Sequence, residues 1–190
     1  MVKKSDDKKT LIIESYIQLI VSNGVQNCSM QEVAKNAGVA TGSIYNYFSG
    51  KAELVNESYQ YVRSSGLEFA GSDLSPDMDR HERFCSIFGN LCRFFLQNTT
   101  YFEFSERFTY GPEITNDSRD VIHERYADYL RLISDGIADG EFRSMDPKLM
   151  FRYLWGCASS LARYSLRENK EISDDEVKDY VDFMWDSIQS

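Results

Sequence analysis

This chain of 190 residues has no apolar run of membrane-spanning length, no C-x-x-C pair and only two histidines. Each shortage excludes something. A bilayer needs about 20 consecutive apolar residues for one helix, so no spanning segment is expected. The stretch from Met1 to Lys9 is charged and lacks the apolar centre of a signal peptide, which points to the cytoplasm. Cys28, Cys85, Cys92 and Cys157 are spaced for neither a disulfide framework nor a zinc site. Cys85 and Cys92 read as small buried hydrophobes on one helix. His81 and His123 have no acidic or cysteine partner at ligand or triad spacing, and His123-Glu124 lacks the second histidine of a metalloprotease helix. No catalytic residue, metal or cofactor is therefore expected, and an enzyme is the disfavoured class. Period-two alternation and hairpin turn signals are missing as well, which leaves an all-α chain.

What is present is apolar residues at 42%, with 12 Phe and 12 Tyr, enough for a substantial core in one or two domains. Net charge is −9, unevenly distributed. Residues 1–51 hold Lys3, Lys4, Lys8, Lys9, Lys35 and Lys51 against Asp6, Asp7, Glu14 and Glu32, a balance of +2, so the remainder carries −11. A basic head on an acidic body suits a DNA binder. The four N-terminal lysines read either as an arm on the phosphate backbone or as a solvated tail.

The densest pattern lies between Ser29 and Lys51. Ser29-Met30-Gln31-Glu32 has the form of a capping box. A short helix then carries Val33, Ala34 and Ala37 on one face and ends at Gly38, which can take the left-handed conformation. A second helix begins near Thr41, with Ile44 and Phe48 as its inward stripe. Thr41, Gly42, Ser43, Tyr45, Asn46 and Tyr47 are left facing outward. Two short helices joined by a glycine-containing turn are a helix-turn-helix signature. Small side chains permit close approach to a groove, and hydroxyls and an amide reach phosphates or base edges. The alternative is a solvent-facing helix that binds nothing.

Helical spacing continues through the rest. One helix is expected from 51 to about 70, then a breaker-rich loop 71–77. A long helix follows to about 98 with Phe84, Phe88, Leu91 and Phe95 at i, i+4, i+7 and i+11. A short aromatic helix spans 101–110, and another runs 118–139. Asp146-Pro147 opens the next in capped form, carrying Met150, Leu154, Cys157 and Leu161 beside small residues. The capping box Ser173-Asp174-Asp175-Glu176 opens the last, with Val177, Val181, Met184 and Ile188. About nine helices are expected in all.

Residues Leu11 to Leu54 resemble the DNA-binding domain of the TetR family of bacterial transcriptional regulators. Ile12, Ile13, Leu19 and Ile20 before Asn23-Gly24 look like its first helix. Ser29 to Ala34 looks like the supporting helix and Ala37-Gly38-Val39 like the turn. Gly42 to Phe48 with Lys51, Glu53 and Leu54 resembles the family's most diagnostic run. Ala40 departs from a common serine cap, and Ser15-Tyr16 from a pair of alanines. The resemblance implies a helix-turn-helix domain over 1–51 and a helical regulatory and dimerisation domain over 52–190. It places Thr41, Gly42 and Ser43 toward base edges, Tyr45 and Tyr47 on phosphates with Asn46 between the two roles, and Lys51 on a phosphate, with Ser29 in the same set. It also implies a homodimer through the last two helices, here Leu154, Leu161, Val177, Val181, Met184 and Ile188. These positions could equally be core within one subunit.

An effector pocket is implied over Phe88, Cys92, Phe95, Phe102, Phe104, Phe108, Tyr126 and Trp155, with Arg93, Glu103, Arg107 or His123 as polar groups. Plain aromatic core is the alternative. The reading is thus a regulator, expected to be a repressor on a palindromic double-stranded operator, released by a small hydrophobic or aromatic effector. A ligand-independent DNA binder that recruits a protein partner is the other possibility.

Overall fold

A computed structural model describes residues 3–109 and 111–190, without the side chains of residues 3–6 and Gln26. Met1, Val2 and Tyr110, and the Lys3 and Lys4 side chains of the expected arm, lie outside the described residues. The elements are α1 (Lys3–Asn23), a 3-10 turn (Val25–Asn27), α2 (Met30–Asn36), α3 (Thr41–Ile44), α4 (Lys51–Ala70), α5 (Arg80–Gln97), α6 (Thr99–Phe108), α7 (Asn116–Arg125), α8 (Ala127–Ala138), α9 (Pro147–Glu168) and α10 (Asp174–Ile188). Among the described residues there is no strand, only one isolated antiparallel bridge between Phe142 and Gln189.

Two boundaries differ from expectation. The segment 118–139 is two helices, because the Tyr126 amide turns back to the His123 carbonyl at 3.2 Å. That i→i+3 bond tightens the chain at a buried tyrosine with φ −82° and ψ −4°. No Pro or Gly marks the break. The second short helix ends at Ile44, and the Asn46 and Tyr47 amides donate to the Ser43 and Ile44 carbonyls in tighter turns. The N-terminal lysines Lys3, Lys4, Lys8 and Lys9 lie in the first turns of α1. Lys9 pairs with Glu57 at 2.9 Å and lies over the Phe48 ring.

Packing divides the chain into two compact units, Met1–Arg63 with Glu103–Ile122, and Ser64–Phe102 with His123–Ser190. The expected division at residue 51 separates the reading helices from the rest. It falls at the first residue of α4, a continuous helix whose first part packs with the N-terminal elements.

In the first unit, Ile12, Tyr16, Ile17 and Ile20 of α1 are buried with Val33, Ala34, Ile44, Phe48 and Leu54. Tyr16, where the resemblance leads one to expect an alanine, has its ring edge-on to Phe104 at 6.2 Å. Polar groups tie the 103–122 segment in place. Asn56 donates to the Glu113 carbonyl at 2.9 Å and accepts from the Thr115 amide at 2.9 Å. Arg107 donates to the Ile20 carbonyl at 2.9 Å, a second donor to an acceptor near the end of α1 that also takes the Gly24 amide at 3.0 Å.

In the second unit α5 packs on both α9 and α10, and α8 packs on α9. The Asp146 carboxylate caps α9 through the Leu149 amide at 2.9 Å, with Pro147 at the first helical position. Asn169, at φ 48°, closes that helix in the left-handed region. The Phe142 ring fills the notch at Gly136, where a Cβ would come within 2.3 Å of it. The C-terminus is held by the Arg143 amide on Ile188 at 2.8 Å and the Ser190 amide on Glu141 at 3.0 Å.

Candidate nucleic-acid interface

The helix-turn-helix assembles from local chemistry. Ser29 Oγ accepts from the Glu32 amide at 3.2 Å, and the Ser29 amide donates to Glu32 Oε2 at 2.7 Å, completing the capping box. Those hydrogen bonds from Ser29 hold the Glu32 carboxyl below its ordinary range. Past α2 the Val39 amide reaches the Ala34 carbonyl at 3.0 Å and the Gly38 amide reaches Lys35 at 3.3 Å. With Gly38 at φ 65°, this is a Schellman closure, which fixes the direction of the chain into α3.

Ile44 and Phe48 are fully buried, as the spacing predicts, and anchor the turn-rich segment. Ala40 makes no side-chain cap to α3. Gly42 is exposed, with open space where a Cβ would stand. Asn46 is exposed, Tyr45 is 54% exposed, and Thr41, Ser43 and Tyr47 are half-buried. The structure therefore brings Thr41 to Tyr47 together as one accessible polar strip. Ser29 is exposed but engaged in its cap. Lys51, half-buried, donates from Nζ to the Val25 carbonyl at 2.8 Å, a contact that the spacing did not reveal. Glu53 reaches back to the Ser49 amide at 2.6 Å and to Ser49 Oγ at 2.7 Å, bracing the start of α4.

Residues 12–58 match the family model described as bacterial regulatory proteins, tetR family, and residues 80–189 match the tetracyclin repressor-like C-terminal domain. The chain belongs to the TetR family. It is therefore a helix-turn-helix transcriptional regulator in class. It is similar to the HTH-type transcriptional repressor KstR2 of Rhodococcus jostii, 22% identical over 96% of this chain and 92% of that one. A solved TetR family regulator from Marinobacter aquaeolei shares the fold at TM-score 0.92, with 21% identity and full coverage of both chains. The fatty acid degradation regulator FadR of Bacillus halodurans superposes with TM-score 0.74 at 20% identity, covering 94% of each chain. Among the described residues no helix is long and apolar enough to cross a membrane.

The TetR-like body departs from what spacing alone shows in three places. Leu154, Leu161, Val177, Val181, Met184 and Ile188 are all buried inside this one chain, as residues of its own core are. They form one helical stripe on each helix, the apolar face that an amphipathic helix buries. The exposed apolar positions of α9 and α10 are instead Leu149, Tyr153, Tyr164, Leu166 and Phe183, the last 67% exposed.

The eight residues of the aromatic body are divided between the two units. Phe104 and Phe108 stack at 4.8 Å in the first unit. Phe95 contacts Phe102 at 5.2 Å and Trp155 at 5.3 Å in the second, where Tyr126 also meets Trp155 at 5.9 Å. Phe88 packs on Phe84, and Cys92 is fully buried, its thiol pushed up to about 12 by burial. Of the polar groups, Arg93 is paired with Asp174 at 2.7 Å and Arg107 holds Ile20, while Glu103 and His123 are exposed.

The third departure concerns His81. One turn along α5 sets Cys85 Sγ 3.5 Å from its Nε2, and Asp182 of α10 faces the same sulfur at 4.0 Å. The i, i+4 spacing was legible in the chain, but Asp182 is brought in only by the packing of α10 on α5.

Proposed function

We propose that this regulator is a cytoplasmic repressor that binds a palindromic operator as a homodimer and leaves it when a small hydrophobic effector enters its helical body. Residues 1–51 are its DNA-reading part. The observation that carries this reading is the accessible strip Thr41 to Tyr47, set on two fully buried anchors beside a braced α4 start. Thr41, Gly42 and Ser43 meet base edges in the major groove, Tyr45, Tyr47 and Lys51 meet phosphates and fix the register, and Asn46 stands between the two roles. Lys51 has two further N–H donors besides the one given to Val25.

One short helix reads only a few base pairs, so two symmetric copies about one DNA turn apart supply the specificity. The exposed stripe Leu149, Tyr153, Gly156, Ser160 and Tyr164 of α9, beside Phe183 of α10, supplies the self-complementary face. α9 and α10 are held side by side by Tyr153 on Ser187 at 3.1 Å and by Tyr180 on the Cys157 carbonyl at 3.0 Å. The aromatic groups around Phe95, Phe102, Tyr126 and Trp155 favour an apolar effector, and a relative of the same fold named for fatty acid degradation favours an acyl chain. Release requires only that the effector bind better to an arrangement with the wrong reader spacing.

Selection of full-length protein against random duplexes tests this. A palindrome with half-sites about 10 base pairs apart is expected. Ser43→Ala and Thr41→Val should change base preference. Lys51→Ala, shown folded by circular dichroism, should weaken binding to all sequences and lower the salt slope by about 1. Enrichment of no sequence, or an unchanged affinity and slope in Lys51→Ala, refutes this placement of the reader.

A further inference from the structure

We infer that His81, Cys85 and Asp182 form a binding site for a borderline-soft divalent cation of the zinc class, joining α5 to α10. The three side chains offer nitrogen, sulfur and oxygen, and their ligand atoms all lie within 4.8 Å of one another. This donor set matches what Zn²⁺ takes from proteins, and hard cations such as Mg²⁺ disfavour a thiolate. His81 and Cys85 are four apart on one helix face, the spacing that lets two side chains grip one ion.

The spacing of the sulfur and the imidazole suits this reading. Metal–sulfur and metal–nitrogen bonds of about 2.3 and 2.0–2.1 Å at a tetrahedral angle put the two ligand atoms about 3.6 Å apart. Cys85 Sγ and His81 Nε2 stand at 3.5 Å. The sulfur and Asp182 Oδ1, at 4.0 Å, close on an ion with a small side-chain rotation. The imidazole is braced edge-on by Trp185 at 4.8 Å, and Trp185 is itself packed on Phe84 and Phe142, each at 5.1 Å. His81 is exposed and the other two are half-buried, so an ion can enter from solvent. Asp79 and Asp182 act on the thiol with negative charge and Lys178 with positive. Burial together with the two aspartates pushes that thiol up to about 11, so the arriving cation must expel its proton. Three protein ligands leave a fourth position open to water or to another donor.

Cobalt(II) added to tag-free, reduced, full-length protein tests the site without any DNA. One ion per chain should bind saturably, with a thiolate-to-metal charge-transfer band that zinc abolishes by competition. Cys85→Ser should remove the band. His81→Gln and Asp182→Asn should weaken binding by more than the roughly 10–100-fold typical of losing a residue that only orients a metal ligand. Cys157→Ser, the other half-buried thiol of this unit, should leave it intact, and circular dichroism should show every variant folded. A band that persists in Cys85→Ser, a band lost in Cys157→Ser, or no saturable binding overturns the assignment.

Discussion

Gly136 shows how one missing side chain sets a local structure. It lies in α8, where glycine costs about 1 kcal/mol relative to alanine. Its retention follows from the Phe142 ring, whose atoms would stand 2.3 Å from a Cβ at that position. Overpacking a tight core costs about 1–3 kcal/mol, which exceeds the propensity gain. Gly136→Ala should therefore lower stability in urea titration, and adding Phe142→Leu should recover part of the loss. Tyr16 is the opposite case, a large side chain where the family commonly has a small one. Its ring is buried against Phe104, which ties α1 to the 103–122 segment.

At the scale of the element, helix starts are set by reciprocal caps, and these make an acid-sensitive property. The Glu176 carboxyl, bonded by Lys170 and by the Ser173 amide and hydroxyl, is drawn down to about 2. Glu32 and Glu53 are likewise lowered, by their bonds from Ser29 and Ser49. A depressed carboxyl stabilises the fold fully above its unfolded value and loses that contribution as pH falls through the folded one. The window for Glu176 thus runs from its ordinary value of 4.5 down to about 2. Thermal unfolding followed from pH 6 to pH 2 should show the midpoint falling across that range. In Glu176→Gln the fall should be shallower, and a slope identical to wild type would contradict the cap's role.

At the scale of the whole molecule, α9 and α10 together have two apolar sides. One is spent inside the chain, where Leu154 is fully buried. Leu154→Ala should cost about 2–5 kcal/mol of folding stability, as core truncations do. The other includes Phe183, 67% exposed. Under the proposed pairing, Phe183→Glu should leave the unfolding midpoint of the isolated chain near wild type while shifting sedimentation from dimer to monomer. If the variant still sediments as the dimer, the proposed pairing face is wrong.

The sequence alone determined the elements whose causes are local. The capping box at Ser29, the closing glycine at Gly38 and the Asp146-Pro147 start each act within a few residues, and each is found as read. The same holds for the buried pair Ile44 and Phe48, because helical spacing fixes a shared face. Tertiary structure decided everything that depends on a distant neighbour. It chose which apolar stripe of α9 and α10 turned inward and drew Phe104 and Phe108 into the first unit. It broke 118–139 at Tyr126, directed Lys51 to the Val25 carbonyl, and set Asp182 beside Cys85. Periodicity reports that a face is apolar, whereas only packing decides what covers it.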